Sequence, residues 1–413
     1  MSMPVIDVND PTTFYNENFF GNPYDVYRQL IQQGEIHKVN LYGGLWYIGG
    51  YETVNKYIAD PRISHNTAQQ YWAVQFSEQQ LYGILEFIRL FSMWMSLQDG
   101  TSHIRYRKML TQAFSVSVKN LAPYIMDLID DSLDELEGKE EVDLIRDYAY
   151  PLPTKVIMKL LGLPEEQYER VAECADSLVH LFGSMTVTYE DVTRAQNLLV
   201  LLTAYLTDVI EERRIHPQED FITYLIEATD DDGVHLTIEE IHAQCAMLLF
   251  AGHETTRNLI GNGMLTLMKH PEQLQKLKDS PGLIKSTIQE VLRYESPAQI
   301  TVRTALEDME ILDQQIKKGE LIMFCFGSAN HDPRKFTDPH LFDIERNEAR
   351  NLAFGVGIHS CIGAQLAMME TEIAMSRLIA RYPHMEWIQD EPEWLPNVGF
   401  RGLQRLLVRL NNR

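Results

Sequence analysis

A few short patterns hold the side chains that could do chemistry. The densest is Phe354-Gly355-Val356-Gly357-Ile358-His359-Ser360-Cys361-Ile362-Gly363, followed directly by helical periodicity from Ala364 to Arg381, which Pro383 ends. This spacing puts Cys361 where a loop runs into a helix. Free N–H groups and the macrodipole favour a thiolate there and tune its donation to a bound metal. Gly355 and Gly357 permit a turn whose backbone closely approaches a flat ligand. Taken alone, the pattern admits a buried cysteine beside a glycine-rich turn, a nucleophile paired with His359, or a metal-binding thiolate.

Two further patterns are weaker. Phe250-Ala251-Gly252-His253-Glu254-Thr255-Thr256 places a glycine, ionisable groups and β-branched residues inside an otherwise apolar helical run, against local propensity. An acid followed by a hydroxyl in a locally opened helix can pass protons; the bland alternative is a Thr255 hydroxyl bonded one turn back and a Glu254 paired with a cation. Glu290-Val291-Leu292-Arg293 sets opposite charges at i and i+3, which is more often a solvated surface pair.

The elements that must position these residues read as helices. Thr237-Ile238-Glu239-Glu240 is a capping box that starts a helix running to Lys269-His270, where Pro271 stops it. Helical periodicity dominates from about Asn120 to Tyr294, and β-like runs are short, near Leu45 to Ile48 and after Arg303. The class is mainly α with small β-sheets. No repeat or flexible linker divides the chain, so residues 1–413 read as a single domain.

Composition narrows the function classes. With 36 basic and 59 acidic residues among 413, the net charge of −23 argues against binding nucleic acid or anionic lipid over the surface as a whole. The four cysteines, Cys174, Cys245, Cys325 and Cys361, lack zinc-like or secreted-framework spacing. The first twenty residues show no basic start with an apolar run, and no stretch of about 18 uninterrupted apolar residues follows elsewhere. A cytoplasmic, membrane-free protein is the expectation.

The cysteine pattern resembles the haem-binding loop of the cytochrome P450 family, and the other patterns agree with it in order and spacing. The resemblance extends from Asn22-Pro23-Tyr24 through Ala329-Asn330-His331-Asp332-Pro333 to Phe400-Arg401-Gly402-Leu403. It implies a triangular helical prism with haem b (iron protoporphyrin IX) between the long central helix and the cysteine-bearing helix. By this resemblance Cys361 is the axial ligand, and Phe354, Gly355, Gly363 and Ala251 are further haem contacts. His103, Arg107, Arg303 and His359 match the family's propionate contacts. Glu290 and Arg293 match the ExxR motif, joined by Arg346, with a structural role. Glu254 and Thr255 match the proton relay of the oxygen-activation motif, and His253 occupies its variable position. Met247, Phe250, Ala251, Ile300 and Phe400, with the aromatic-rich segment from Tyr71 to Trp94, are implied to line the substrate pocket.

Two departures stand out. Asp99-Gly100-Thr101-Ser102-His103 lacks the prolines that relatives often carry before the histidine, which predicts a looser helix start. Leu366-Ala367-Met368-Met369-Glu370 lacks an arginine that relatives place on the electron-receiving face, so the usual charge pairing there is in doubt.

The resemblance implies a monooxygenase that inserts one oxygen atom from dioxygen into an apolar molecule of polyketide or macrolide type, by hydroxylation or epoxidation. A fatty-acid or carrier-tethered acyl-chain hydroxylase, with acyl carrier protein as partner, is the alternative. Electrons are expected from a separate ferredoxin or flavodoxin with an NAD(P)H-dependent reductase, since no dinucleotide-binding module is seen. A peroxide-using hydroxylase would not need both Glu254 and Thr255, a ligand-sensing haem protein would need neither, and a cysteine hydrolase would bind no haem.

Overall fold

The computed structural model describes residues 6–41, 43–67, 72, 75–184 and 187–411. Tyr71, Ala73 and Val74 of the expected pocket segment lie outside them. The chain forms two compact units, one of Met1–Ser64, Ile129–Ala149 and Thr255–Arg413, the other of His65–Leu128 and Tyr150–Glu254.

The first unit holds a five-stranded sheet. Its strands are β1 (Ile36–Val39), β2 (Leu45–Ile48), β3 (Ile63–Ser64), β4 (Ile300–Ala305) and β5 (Leu321–Cys325), in the order β1-β2-β5-β4-β3. β5 runs parallel to β2, with Trp46 opposite Ile322 and Ile48 opposite Phe324, and antiparallel to β4, with Arg303 also opposite Ile322. Apolar and β-branched residues suit this pleated surface. Trp46, Ile48, Ile322 and Phe324 pack with Tyr51, Val54, Ile311 and Phe336 into a buried core. That packing fixes β4, and with it the placement of Arg303.

Helices dominate the second unit, as the periodicity predicts. Three are needed below: α1 (Gly100–Val118), α2 (Pro151–Leu161) and α3 (Tyr168–Gly183). The long helix α4 (Ile238–Lys269) begins with the expected capping box. The N–H of Thr237 donates to Glu240 Oε2 at 2.7 Å, and the N–H of Glu240 donates to Thr237 Oγ1 at 3.2 Å. Arg105 on α1 then grips the start of α4 through Glu240, at 2.7 Å, and the turn ahead of it through Asp230, at 2.9 Å. Gln244 closes a second tie, accepting from the N–H of Met95 at 3.0 Å and donating to the carbonyl of Met93 at 2.7 Å.

The remaining site helices belong to the first unit: α5 (Ile284–Tyr294) and α6 (Ala364–Arg381), the latter with the bounds read from the sequence. Among the described residues no helix is long and apolar enough to cross a membrane.

Candidate active site

In the first unit, Cys361 stands just ahead of α6, whose N-cap is Gly363. The Cys361 N–H donates to the carbonyl of Phe354, and the Gly355 N–H to that of Leu352, both at 2.8 Å, so the loop folds back on itself. Gly355 and Gly357 take the left-handed backbone, with φ of 66° and 74°. A Cβ at Gly357 would stand 2.9 Å from that of Ala59. Phe354 and Val356 are only half-buried and Ile358 is 61% exposed, so apolar surface lies uncovered beside an exposed thiol. The other three cysteines are buried, and burial pushes the Cys174 and Cys245 thiols up to about 12 and that of Cys325 to about 11. Of the four, Cys361 alone is exposed.

The charged pair of the ExxR motif, expected to act structurally, is buried. Glu290 on α5 receives both arms of the Arg293 fork, at 2.7 and 2.8 Å, together with the N–H of Asp343 at 3.0 Å and Arg346 Nε at 3.1 Å. Arg293 spends its other donors on the carbonyls of Asn330, Pro339 and Leu341, and Arg346 on those of Thr337, Asp338 and Leu341. A buried ion pair of this kind holds only because every remaining donor finds a partner. The structure thus joins Arg346 to the pair and clamps the segment that leads into the cysteine loop.

On β4, Arg303 is half-buried and donates to the carbonyl of Val302 at 2.7 Å and to Thr301 Oγ1. His359 is half-buried in the single turn Gly357–His359. Ile300 opens β4, and the segment before it runs antiparallel to the one carrying Phe400: Gln299 donates to Gly399 at 2.9 Å, and Arg401 to Pro297 at 2.7 Å. The two expected pocket residues therefore sit on neighbouring segments. Thr255 is half-buried.

In the second unit, His103 and Arg107 lie one turn apart on α1, His103 buried and Arg107 half-buried. Burial, and then the Arg107 charge, lowers the His103 pKa below its ordinary value, so at neutral pH His103 offers a neutral hydrogen-bonding ring. At the start of α1, Asp99 is the N-cap but makes no side-chain capping bond, and it accepts the N–H of His65 at 3.0 Å.

Along α4, Met247, His253 and Glu254 are buried and Phe250 is half-buried, while Ala251 is exposed in mid-helix. Phe250 belongs to an aromatic cluster, 5.3 Å from Trp94 and 4.8 Å from Phe182, and Phe91 lies 4.8 Å from both of those rings. Trp94, at the end of the Tyr71 to Trp94 segment, thus packs against a residue of α4.

Sequence reasoning left His253 without a role and passed over its partners. Its Nδ1 lies 2.5 Å from Thr154 Oγ1 and its Nε2 lies 3.1 Å from Asp176 Oδ1. No local pattern marks residues that meet only in the folded chain.

An exposed thiol in a tight glycine turn, apolar surface beside it, and arginine and histidine donors suit a flat metal-bearing ligand with anionic edges. The comparisons agree. The family model for Cytochrome P450 matches residues 40–280 and 282–399. The chain is 37% identical over 396 residues to the "Biotin biosynthesis cytochrome P450" of Bacillus subtilis (strain 168), covering 95% of this chain and 97% of that protein. A crystal structure of P450BioI in complex with hexadec-9Z-enoic acid ligated acyl carrier protein superposes with a TM-score of 0.89 at 36% identity, covering 96% of this chain and 100% of that one. The bacillaene polyketide synthase cytochrome P450 PksS of Bacillus subtilis 168 gives a TM-score of 0.86 at 31% identity, covering 96% and 98%. The chain belongs to the cytochrome P450 family. It is a haem-dependent monooxygenase, and haem b is its cofactor.

Proposed function

We propose that Cys361 supplies the thiolate to haem b, and that the enzyme oxidises an apolar organic molecule by hydroxylation or epoxidation. The observation that carries this reading is the exposed Cys361 in its self-closed glycine loop ahead of α6. When bound, haem b supplies the chemistry that uses dioxygen and two electrons to insert one oxygen atom and release the other as water. Cys361 would hold the haem iron through its thiolate, an electron-rich sulfur ligand. Arg303, His359, His103 and Arg107 would hold the propionates, and Phe354, Gly355, Gly363 and Ala251 would be further haem contacts. Glu254 and Thr255 carry protons inward, the carboxyl as acid and the hydroxyl as the group that hands the proton on.

Met247, Phe250, Ile300 and Phe400 face the substrate. The substrate is a polyketide or macrolide-type metabolite, a reading that the likeness to PksS supports. A second reading, a fatty acyl chain free or tethered to acyl carrier protein, is favoured by the higher identity to the biotin biosynthesis relative. A separate ferredoxin or flavodoxin with an NAD(P)H-dependent reductase delivers the electrons, and the protein acts in the cytoplasm. Residues 1–413 work as one domain, which the near-continuous family match supports.

Titrating the haem-loaded protein with a macrolactone, palmitic acid and palmitoyl-acyl carrier protein separates these readings through the Soret shift that accompanies substrate binding. A saturable blue shift with the macrolactone alone supports the first reading, and one with either palmitoyl ligand supports the second. No shift with any of the three contradicts the proposed substrate class.

A further inference from the structure

His253 is engaged at both ring nitrogens although it is buried inside α4. Asp176 on α3 can only accept, so Nε2 donates to its Oδ1, at 3.1 Å, and Nδ1 is left to accept the Thr154 hydroxyl of α2, at 2.5 Å. The Tyr150 ring meets the imidazole edge-on at 4.9 Å, and its hydroxyl donates to the second Asp176 oxygen at 2.6 Å. Next to this, Gly252 lets α2 approach closely, since a Cβ there would fall 2.7 Å from Ile157 Cδ1. Thr154 and Ile157 are a turn apart on α2. One helix is therefore pressed and hydrogen-bonded to α4 at the two residues that precede Glu254. Asp176, 48% exposed, is held from the far side by Tyr150 and anchors the network where water reaches it.

We infer that His253 is a positioning residue: with Thr154, Asp176 and Tyr150 it fixes the register and rotation of α4 that aim Glu254. This rests on the proposed role of Glu254 in carrying protons. Misaimed groups cost rate steeply, on the order of a hundredfold for an ångström. Reducing equivalents whose protons arrive badly leave as peroxide, through NADPH + H+ + O2 → NADP+ + H2O2.

The test measures hydrogen peroxide released per NADPH consumed, using haem-loaded protein, a surrogate ferredoxin and reductase, and palmitic acid as the probe. His253→Phe keeps the bulk and loses both hydrogen bonds, whereas His253→Gln keeps one donor and one acceptor. Asp176→Ala, at a half-exposed position, removes the anchor without a core cavity. We expect a several-fold higher peroxide fraction in His253→Phe, a smaller rise in Asp176→Ala, and near-parental behaviour in His253→Gln. The reduced carbon monoxide spectrum is expected to be unchanged in all three. A parental peroxide fraction in His253→Phe, or equal values for Phe and Gln, would overturn the inference and leave His253 as core packing. Glu254→Gln, measured alongside, separates the two ideas: if it stays parental while His253→Phe leaks, the relay role of Glu254 is what fails.

Discussion

Glu290 and Glu370 show how environment divides one residue type. Glu290 gathers two guanidinium groups and a backbone N–H, and so serves as a buried anion around which the cysteine loop's support is built. Glu370, on α6, is buried without such company: among the described residues its Oε2 has no partner, and burial alone drives its pKa well above 4.5. The folded chain holds a proton here that the unfolded chain loses above about pH 4.5, so this group's contribution to stability falls as pH rises through the raised folded value. Glu370→Met is accordingly expected to raise the melting temperature at pH 8 and to raise it less at pH 5, by circular dichroism melts. A variant that melts below the parent at pH 8 would mean that the carboxyl is ionised and paired.

The elements differ in how far they could be read from sequence. α6 and the capped start of α4 are set by local signals: an apolar period with a proline stop, and a threonine followed three residues on by a glutamate. The parallel pairing of β2 with β5 joins segments far apart in the chain, and no local pattern encodes it. Arg346 could be named only through the family likeness, because its partner Glu290 lies 56 positions earlier. The His253 network was illegible for the same reason, with partners 77 and 99 positions away. The cysteine loop lies between these cases: its glycines announce a turn, but only the fold shows Gly357 against Ala59. Gly357→Ala should lose about 1–2 kcal/mol to the left-handed backbone and a further amount, roughly 1–3 kcal/mol, to the forced contact. Gly233→Ala, with φ of 77° and open space around the added methyl, isolates the backbone cost. Thermal melts should place Gly357→Ala below Gly233→Ala, with haem lost from the former alone; equal melts with haem retained would show that the loop has room to adjust.

At the scale of the whole molecule, a chain with a net charge of −23 must hold a dianionic cofactor, so its few cations have to be placed locally. The cations proposed for that task, Arg303 on β4, His359 in the cysteine loop and Arg107 on α1, are ones that composition alone could not single out. Ligation by Cys361 is the claim on which the proposed chemistry depends. The most direct measurement is the absorption spectrum of the haem-loaded protein, reduced and exposed to carbon monoxide, beside a Cys361→Ser variant. The account predicts a strongly red-shifted Soret band in the parent that is lost in the variant. The same red-shifted band in both proteins would contradict it and assign the ligand elsewhere.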